Sequence, residues 1–429
     1  MFDGMTKNSK VKRAILSSSD VEEGVLPSKV TRLVLSNYRS YAQAEMVVQD
    51  EWLMVVLTGE NGAGKTNILE AVSYFSPGRG MRHAALGDVC RVNSGLPWAV
   101  SADFLLGTEK EQIGTGLDPE AFRSEGMAHK RVVRIEGESE STTALAGRFA
   151  VSWLTPQMDR LFAEAPSSRR SFLDRMVLGL YPDHGRQVSA YERLMRERNK
   201  ILQDHGVHAD HSWVSVIERQ MAEHATVIAV ARLDFTGQLA GLIEATSTQD
   251  SAFPKALLAL DGDLEGLLNE GITATDVEET YRCKLEASRG VDAGKGRTSF
   301  GPHKTDLIVT HAPKSMPATL CSTGEQKALL INLILANARL TKALTGKAPI
   351  LLLDEVAAHL DEYRRASLFD ALVELNGQCW LTGTDASMFE ALKGRAAFFT
   401  VTPGKIRAVA EADKENNKND TEKKGSAGS

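Results

Sequence analysis

Four cysteines are scattered through 429 residues, at Cys90, Cys283, Cys321 and Cys379, and none forms a CxxC pair. That argues against a zinc site and a disulfide framework, and it suits a reducing compartment. No uninterrupted apolar run reaches the roughly 18 residues of a membrane span. The opening MFDGMTKNSKVKRAILSSSD has no apolar centre of the kind a secretory signal needs. Positive charge is not in excess either: 50 Lys and Arg stand against 56 Asp and Glu, a net charge of -6. Binding nucleic acid by bulk charge is therefore excluded, and any DNA contact requires a local basic patch. These absences lead to the expectation of a cytoplasmic protein without a membrane partner.

What is present is globular: 42% of residues are hydrophobic and 25% charged. At roughly 150 residues per domain, the length suggests two or three domains. Residues 1–27 are polar and Ser-rich, and 409–429 are charged and nearly free of apolar side chains. Neither end can bury enough surface to offset chain entropy, so both are expected to be disordered tails.

Between the tails the periodicity changes twice. KVTRLVLSNYRSY alternates, and EWLMVVLTGE is a short apolar run ending in glycine, so both predict strands. TNILEAVSYFS has helical spacing, and VVRIEGE and RFAVSWL are candidate strands. From about 166 to 295 the pattern is helical. Trp213, Ile217, Met221, His224, Ile228, Ala231 and Phe235 follow steps of four and three, a heptad-like seam. Helices around 186–204 and 212–245 could pair as an antiparallel hairpin. After Phe300 the α/β pattern returns, with ALLINLILANARL a helix, APILLLDE a strand, EYRRASLFDALVEL a helix and CWLTGTD the final strand. The expected organisation is a head built from 28–165 and 296–408, interrupted by a helical insertion over 166–295.

The chemistry begins at Gly59, Glu60, Asn61, Gly62, Ala63, Gly64, Lys65 and Thr66, which match GxxxxGK[ST]. The loop follows a predicted strand and opens a predicted helix, the context that a phosphate-binding loop requires. Its glycines let backbone N–H groups close on phosphate oxygens, and the helix N-terminus adds partial positive charge. Lys65 is expected at the β- and γ-phosphates of ATP, and the Thr66 hydroxyl on Mg²⁺. APILLLDE supplies the acids. Two carboxylates at the end of a buried strand are costly unless they serve a cation or a reaction. Asp354 is assigned to Mg²⁺ through its water shell, and Glu355 to the attacking water. Lys65 and Asp354 are 289 residues apart, a gap that fits ATPases whose nucleotide-binding halves are split by a helical arm. In CSTGEQKALLINLILA, Ser322 and Gly324 open a helix and form a second phosphate-binding surface. One γ-phosphate does not need two helix termini from the same chain, so Ser322 is expected to cap the nucleotide of a second copy.

GENGAGKT, TPQMDRLF with PSSRRSFLDR, RTSFGPHKTDL, STGEQKALLINLILA and LLLDEVAAHLDEYRR, together with LVLSNYRSY, resemble the RecF family of bacterial recombination-mediator ATPases. That family is related to the ABC and SMC ATPase heads. The likeness runs over about 29–405 in order and spacing, and implies an α/β P-loop head of ABC/SMC type with an inserted helical lid or arm. It implies that Ser322 and Gly324 act as the signature and that Asp361, in His359-Leu360-Asp361, lies at a dimer interface. Thr155-Pro156-Gln157 falls in the Q-loop region, where Gln157 or Asp159 approaches the metal. Thr384-Asp385 stand where ABC proteins carry a switch histidine, which argues against rapid, transporter-like hydrolysis; the resemblance implies weak, DNA-stimulated ATP hydrolysis used as a switch. Arg39 would reach the nucleotide, although a solvent-facing turn arginine fits the residues as well.

The family further implies an ATP-dependent homodimer on gapped duplex and single-strand/double-strand junctions. It would work with RecO and RecR in replication, recombinational repair and the SOS response to DNA damage. Arg169 and Arg170 are expected to pair with Asp174 or to meet DNA. Arg193, Arg196, Arg198 and Lys200 are expected on a solvated face, and His303 is a turn residue without an assigned role. An ABC ATPase subunit driving a membrane partner is the competing reading.

Overall fold

The computed structural model describes residues 27–123, 129–206, 210–246, 251–358 and 360–409. Both expected tails and His359 of the expected D-loop lie outside these, apart from Pro27 and Val409. Backbone contacts divide the chain into two compact units.

The first unit holds 27–142, 153–156 and 348–409 among the described residues. One of its sheets is antiparallel, in the order Tyr41–Val47, Ser28–Tyr38, Ala99–Leu106, Glu109–Leu117, Arg131–Ile135 and Glu138–Glu140. The alternation read in KVTRLVLSNYRSY becomes a hairpin whose tight turn puts Arg39 in the left-handed region at φ 52°.

A second sheet runs Lys405–Ala408, Ala397–Thr402, Met54–Thr58, Cys379–Gly383 and Ile350–Leu353. Its four strands from Ala397–Thr402 to Ile350–Leu353 are parallel. Met54–Thr58, Cys379–Gly383 and Ile350–Leu353 are buried along their whole length, which is why they read as continuous apolar runs. Parallel strands deliver their C-terminal ends to one edge, where open α/β sheets bind ligands. CWLTGTD is not the last strand: Ala397–Thr402 and Lys405–Ala408 follow it, the first parallel to Met54–Thr58 and the second closing a hairpin.

The second unit comprises 143–152 and 157–347 among the described residues. The stretch expected as an insertion lies inside this unit, which continues through Lys347. Helices His184–His205 and His211–Thr246 run antiparallel. Leu202 packs with Val214 near their connection, and Tyr191 and Leu194 pack with Met221, Ala225 and Ile228 further along. The seam is only partly the one expected. Ile217, Met221, Ile228 and Phe235 are buried, but Trp213 is half exposed and Val214 takes its place inside. Helix Ala274–Lys295 completes the core. It begins at Thr273, whose side chain accepts from the Asp276 N–H, and ends at Gly296 in a left-handed cap.

The insertion is not purely helical. Ala256–Asp261 pairs antiparallel with Asp306–His311, which in turn pairs with Met316–Pro317. KALLALDGD carries no β-branched residue to announce a strand, and tertiary pairing overrides its composition. Helices His211–Thr246 and Thr323–Thr345 are long and apolar enough on average to cross a membrane, which a search for unbroken apolar runs does not show. More than half of each apolar stretch is buried, as expected for a core helix.

Candidate active site

The loop Gly59–Thr66 joins strand Met54–Thr58 to helix Lys65–Ser73. Glycine is required at two of its positions for steric reasons. A Cβ at Gly59 would stand 2.2 Å from the Val401 carbonyl oxygen, and one at Gly64 would stand 2.7 Å from the Tyr41 hydroxyl. Their φ values of 152° and 110° also exclude most side chains. The Lys65 ammonium is folded over the loop and donates to the carbonyls of Gly59 and Glu60 at 2.7 and 2.8 Å. Burial lowers its pKa, opposed by the negative charges of Glu355 and Asp354.

Asp354 leaves the end of strand Ile350–Leu353 with 5% exposure. Its Oδ1 accepts from Thr66 Oγ1 at 2.9 Å and from Thr382 Oγ1 at 2.7 Å, and its N–H donates to the Leu154 carbonyl at 2.9 Å. Burial raises the pKa of the carboxyl, while the two hydroxyl bonds and a distant arginine hold it down. Glu355 turns away from the strand with φ 50°, its N–H donating to Thr382 Oγ1 at 2.8 Å. A hydroxyl and a carboxylate 2.9 Å apart at the head of a glycine-rich loop form a hard-oxygen pair. Such a pair suits Mg²⁺, which keeps its waters and takes few protein ligands. Among the described residues no group of three or more His, Cys, Asp or Glu offers a competing metal site.

Residues 29–406 match the model of the RecF/RecN/SMC N terminal domain. The chain is 49% identical over 385 residues to the DNA replication and repair protein RecF of Rhizobium etli, covering 89% of this chain and 100% of that one. It is 49% identical to RecF of Brucella suis biovar 1, covering 89% of this chain and 96% of that one. The chain belongs to the RecF family. Among solved structures it is similar to the recombination mediator protein RecF-ATP, with TM-score 0.77 and 19% identity over 91% of this chain and 100% of that one. It is also similar to an Smc head domain from Pyrococcus furiosus, with TM-score 0.51 and 14% identity over 92% and 100%. The fold is that of a RecF- and SMC-type P-loop ATPase head with an inserted helical subdomain.

The remaining residues that the RecF likeness singles out sit in varied surroundings. Arg39 grips the fully buried Glu70 with Nε and Nη2, at 2.9 and 2.5 Å, and its Nη1 donates to the Asp88 carbonyl. Arg82 shares Glu70 and also donates to Asn67. Ser322 and Gly324 are exposed at the start of helix Thr323–Thr345. Ser322 gives both its N–H and its hydroxyl proton to Glu325 at 2.9 Å, a capping box. The Lys314 ammonium beside Glu325 and the Ser322 bonds hold that carboxyl at about 2. Gln157 is exposed, while Asp159 pairs with Lys327 at 3.4 Å. Asp361 caps helix Glu362–Leu375 by accepting from the Arg364 N–H, and Asp385 caps the turn after Gly383 by accepting from the Ser387 N–H.

Three expectations for the basic residues are corrected. Arg169 forks onto Asp306 at 2.8 and 2.7 Å, and Arg170 reaches the Thr305 carbonyl. Asp174 is unavailable to either, because Arg232 and His184 occupy it. Arg198 is not on the solvated face with Arg193, Arg196 and Lys200: it points inward among Glu218, Asp292 and Thr298 with no exposed surface. It shares that face with Tyr191, Leu194 and Leu202, one to two turns away on the helix. The Tyr191 hydroxyl lies 2.8 Å from His303 Nδ1, and His303 Nε2 lies 3.1 Å from the Thr298 carbonyl. Sequence reasoning passed over Glu70 and Thr382. Their signals were an acid in the middle of an apolar helix and a hydroxyl at the end of an apolar strand.

Proposed function

We propose that this protein binds MgATP at Gly59–Thr66 and Asp354, dimerises around the nucleotide, and acts on DNA in replication and recombinational repair. The observation that carries the ATP reading is the meeting of Thr66 and Asp354 at 2.9 Å across 288 residues of sequence. The repair reading is supported by relatives named DNA replication and repair protein RecF and by a structural neighbour described as a recombination mediator with ATP in the RecFOR pathway. Thr66 and Asp354 would hold Mg²⁺, which neutralises phosphate charge when bound. Lys65 would bind the β- and γ-phosphates, and Glu355 would orient the attacking water. Gln157 or Asp159 would complete the metal surroundings.

In the dimer each nucleotide would lie between the loop of one copy and Ser322 and Gly324 of the other, with Asp361 at the interface. The exposure of that helix N-terminus supports this reading. Ser322 would exchange its bond to Glu325 for the phosphate, and Arg39 would have to leave Glu70 to reach the nucleotide. Hydrolysis is weak, DNA-stimulated and switch-like, and the site of action is cytoplasmic. DNA is held at gaps and single-strand/double-strand junctions through phosphate contacts, so affinity falls with salt. RecO and RecR are the partners. An ABC subunit driving a membrane partner is disfavoured by the family match over 29–406.

Size measurement with and without ATP, followed by salt-titrated binding to gapped and blunt duplex, tests the proposal. Wild type should shift from monomer to dimer with ATP. Ser322→Arg should bind ATP within about threefold of wild type yet stay monomeric, since the added bulk and charge act across the interface. Loss of ATP binding in Ser322→Arg would refute the shared site, and a wild-type monomer in saturating ATP would refute the dimer.

A further inference from the structure

We propose that Thr382 is a positioning residue for ATP hydrolysis, setting the directions of Asp354 and Glu355 together through one buried hydroxyl. The inference rests on the ATP-site reading above. Strand Cys379–Gly383 lies between the strand that leads into the phosphate loop and the strand that ends at Asp354, parallel to both. Leu381 pairs with Leu353, so Thr382 comes level with Asp354 at the sheet edge. Its side chain has no exposed surface.

The chemistry of the partners fixes the direction of each bond. An amide N–H can only donate, so the Thr382 oxygen accepts from Glu355 N at 2.8 Å. The hydroxyl has one proton, and it goes to Asp354 Oδ1 at 2.7 Å. Both polar valences that the site uses are thereby assigned, one to each of two consecutive acids. A β-branched side chain is stiff about χ1, so the oxygen cannot swing away at low cost. Glu355 needs such a restraint. It sits at φ 50°, a region that is unfavourable for a residue with a Cβ and persists where the surroundings hold it.

Thr66 donates to the same Asp354 oxygen. The site reading assigns that hydroxyl to Mg²⁺, which leaves Thr382 as the side chain dedicated to orienting Asp354. Removing the Thr382 hydroxyl should therefore disturb turnover far more than nucleotide binding, because the loop and Lys65 are held by other contacts. Small displacements of a positioning group are enough to cost about 10²-fold in rate.

The experiment compares Thr382→Val, which keeps shape without the hydroxyl, with Thr382→Ser, which keeps the hydroxyl. For each full-length protein, kcat and KM for ATP, the Kd of a fluorescent ATP analogue in Mg²⁺ and in EDTA, and the Mg²⁺ half-saturation are measured. In Thr382→Val we expect kcat to fall about 10- to 100-fold with KM and Kd within about threefold, and Mg²⁺ half-saturation to rise severalfold. Thr382→Ser should keep at least about a third of the wild-type kcat. If valine does not yield folded protein, Thr382→Ala is judged by the same criteria. Wild-type turnover without the hydroxyl would overturn the proposal. So would a serine variant as slow as valine, or an ATP Kd that rises in step with the lost kcat. Lys65→Met in the same series separates the two layers. If it binds ATP like wild type, the site reading itself fails, whereas a wild-type rate in Thr382→Val beside a nucleotide-free Lys65→Met rejects the role of Thr382 alone.

Discussion

Arg198 in the helical unit and Lys65 in the nucleotide unit are both withdrawn from water, at 0% and 4% exposure, but they keep different company. The Arg198 guanidinium meets Glu218 at 2.9 Å, Asp292 and the Leu285 carbonyl at 2.8 Å, and Thr298 at 3.1 Å. Its partners are themselves tied down: Glu218 also takes Arg289 at 2.6 Å, and Asp292 takes Ser288 and the Ser299 N–H. Lys65 has two loop carbonyls and, among the described residues, no ion pair. The first cluster is closed, each charge neutralised by protein. The second is left for an anion that the protein does not itself supply. Burial of charge alone therefore does not distinguish architecture from function. What distinguishes them is whether the protein completes the pairing.

The largest effect expected from this contrast is on the closed cluster. Arg198→Met leaves Asp292 buried beside Glu218 with its cation gone, although Arg289 still serves Glu218. Breaking a buried pair from one side typically costs about 3–5 kcal/mol, read as a lower urea midpoint. ATP affinity of the folded fraction should not change. A loss below about 1 kcal/mol would equate this cluster with an exposed ion pair and break the contrast.

Next comes the open site. Lys65→Met should weaken ATP binding about 100-fold, equivalent to about 2.7 kcal/mol, as measured by titration of a fluorescent ATP analogue. Its urea midpoint should hold, because among the described residues Lys65 has no ion pair to lose and the penalty for burying an ammonium, which disappears, offsets its attraction to Glu355 and Asp354. A large fall in stability would show that Lys65 is architectural after all.

The same contrast explains what could be read from the sequence. Gly59–Thr66 was legible because a phosphate loop is local: eight consecutive residues carry the turn glycines, the cation and the hydroxyl. Asp354 was legible because its apolar strand ends in acids that nothing nearby neutralises. Arg198 was not, because its partners lie 20 and 94 residues away, and only the packing of three helices brings them together. Arg169 likewise reaches Asp306 across 137 residues, where the sequence suggested a neighbour on its own helix. Thr382 failed for a third reason. Its role comes from register between parallel strands, and a threonine ending a strand is unremarkable until its neighbour is known to end in Asp354. The strand Ala256–Asp261 was missed because its sequence has no composition of its own to oppose the surrounding helical pattern.

The smallest effect expected is a pH dependence confined to the closed region. Burial pushes the His303 imidazole down to about 4, against roughly 6.5 for an exposed histidine. Between those values the unfolded chain binds a proton that the folded chain excludes, so stability rises with pH through this window and is complete above it. Lowering the pH from 7.5 to 5 should remove about 2 kcal/mol through this group. The carboxyls held low in the fold, such as Asp174 at about 2, act mainly below about pH 4, where unfolded carboxylates begin to protonate. His303→Gln can still hydrogen-bond with Tyr191 and with the Thr298 carbonyl, and it has no proton to gain. Urea unfolding of both proteins at several pH values isolates the term. The variant should show a slope shallower by close to one proton between pH 6.5 and 4, and parallel profiles would mean that His303 titrates as freely as in the unfolded chain. ATP affinity of folded protein should not follow this histidine, since its bonds to Tyr191 and Thr298 belong to the cluster that the protein completes by itself.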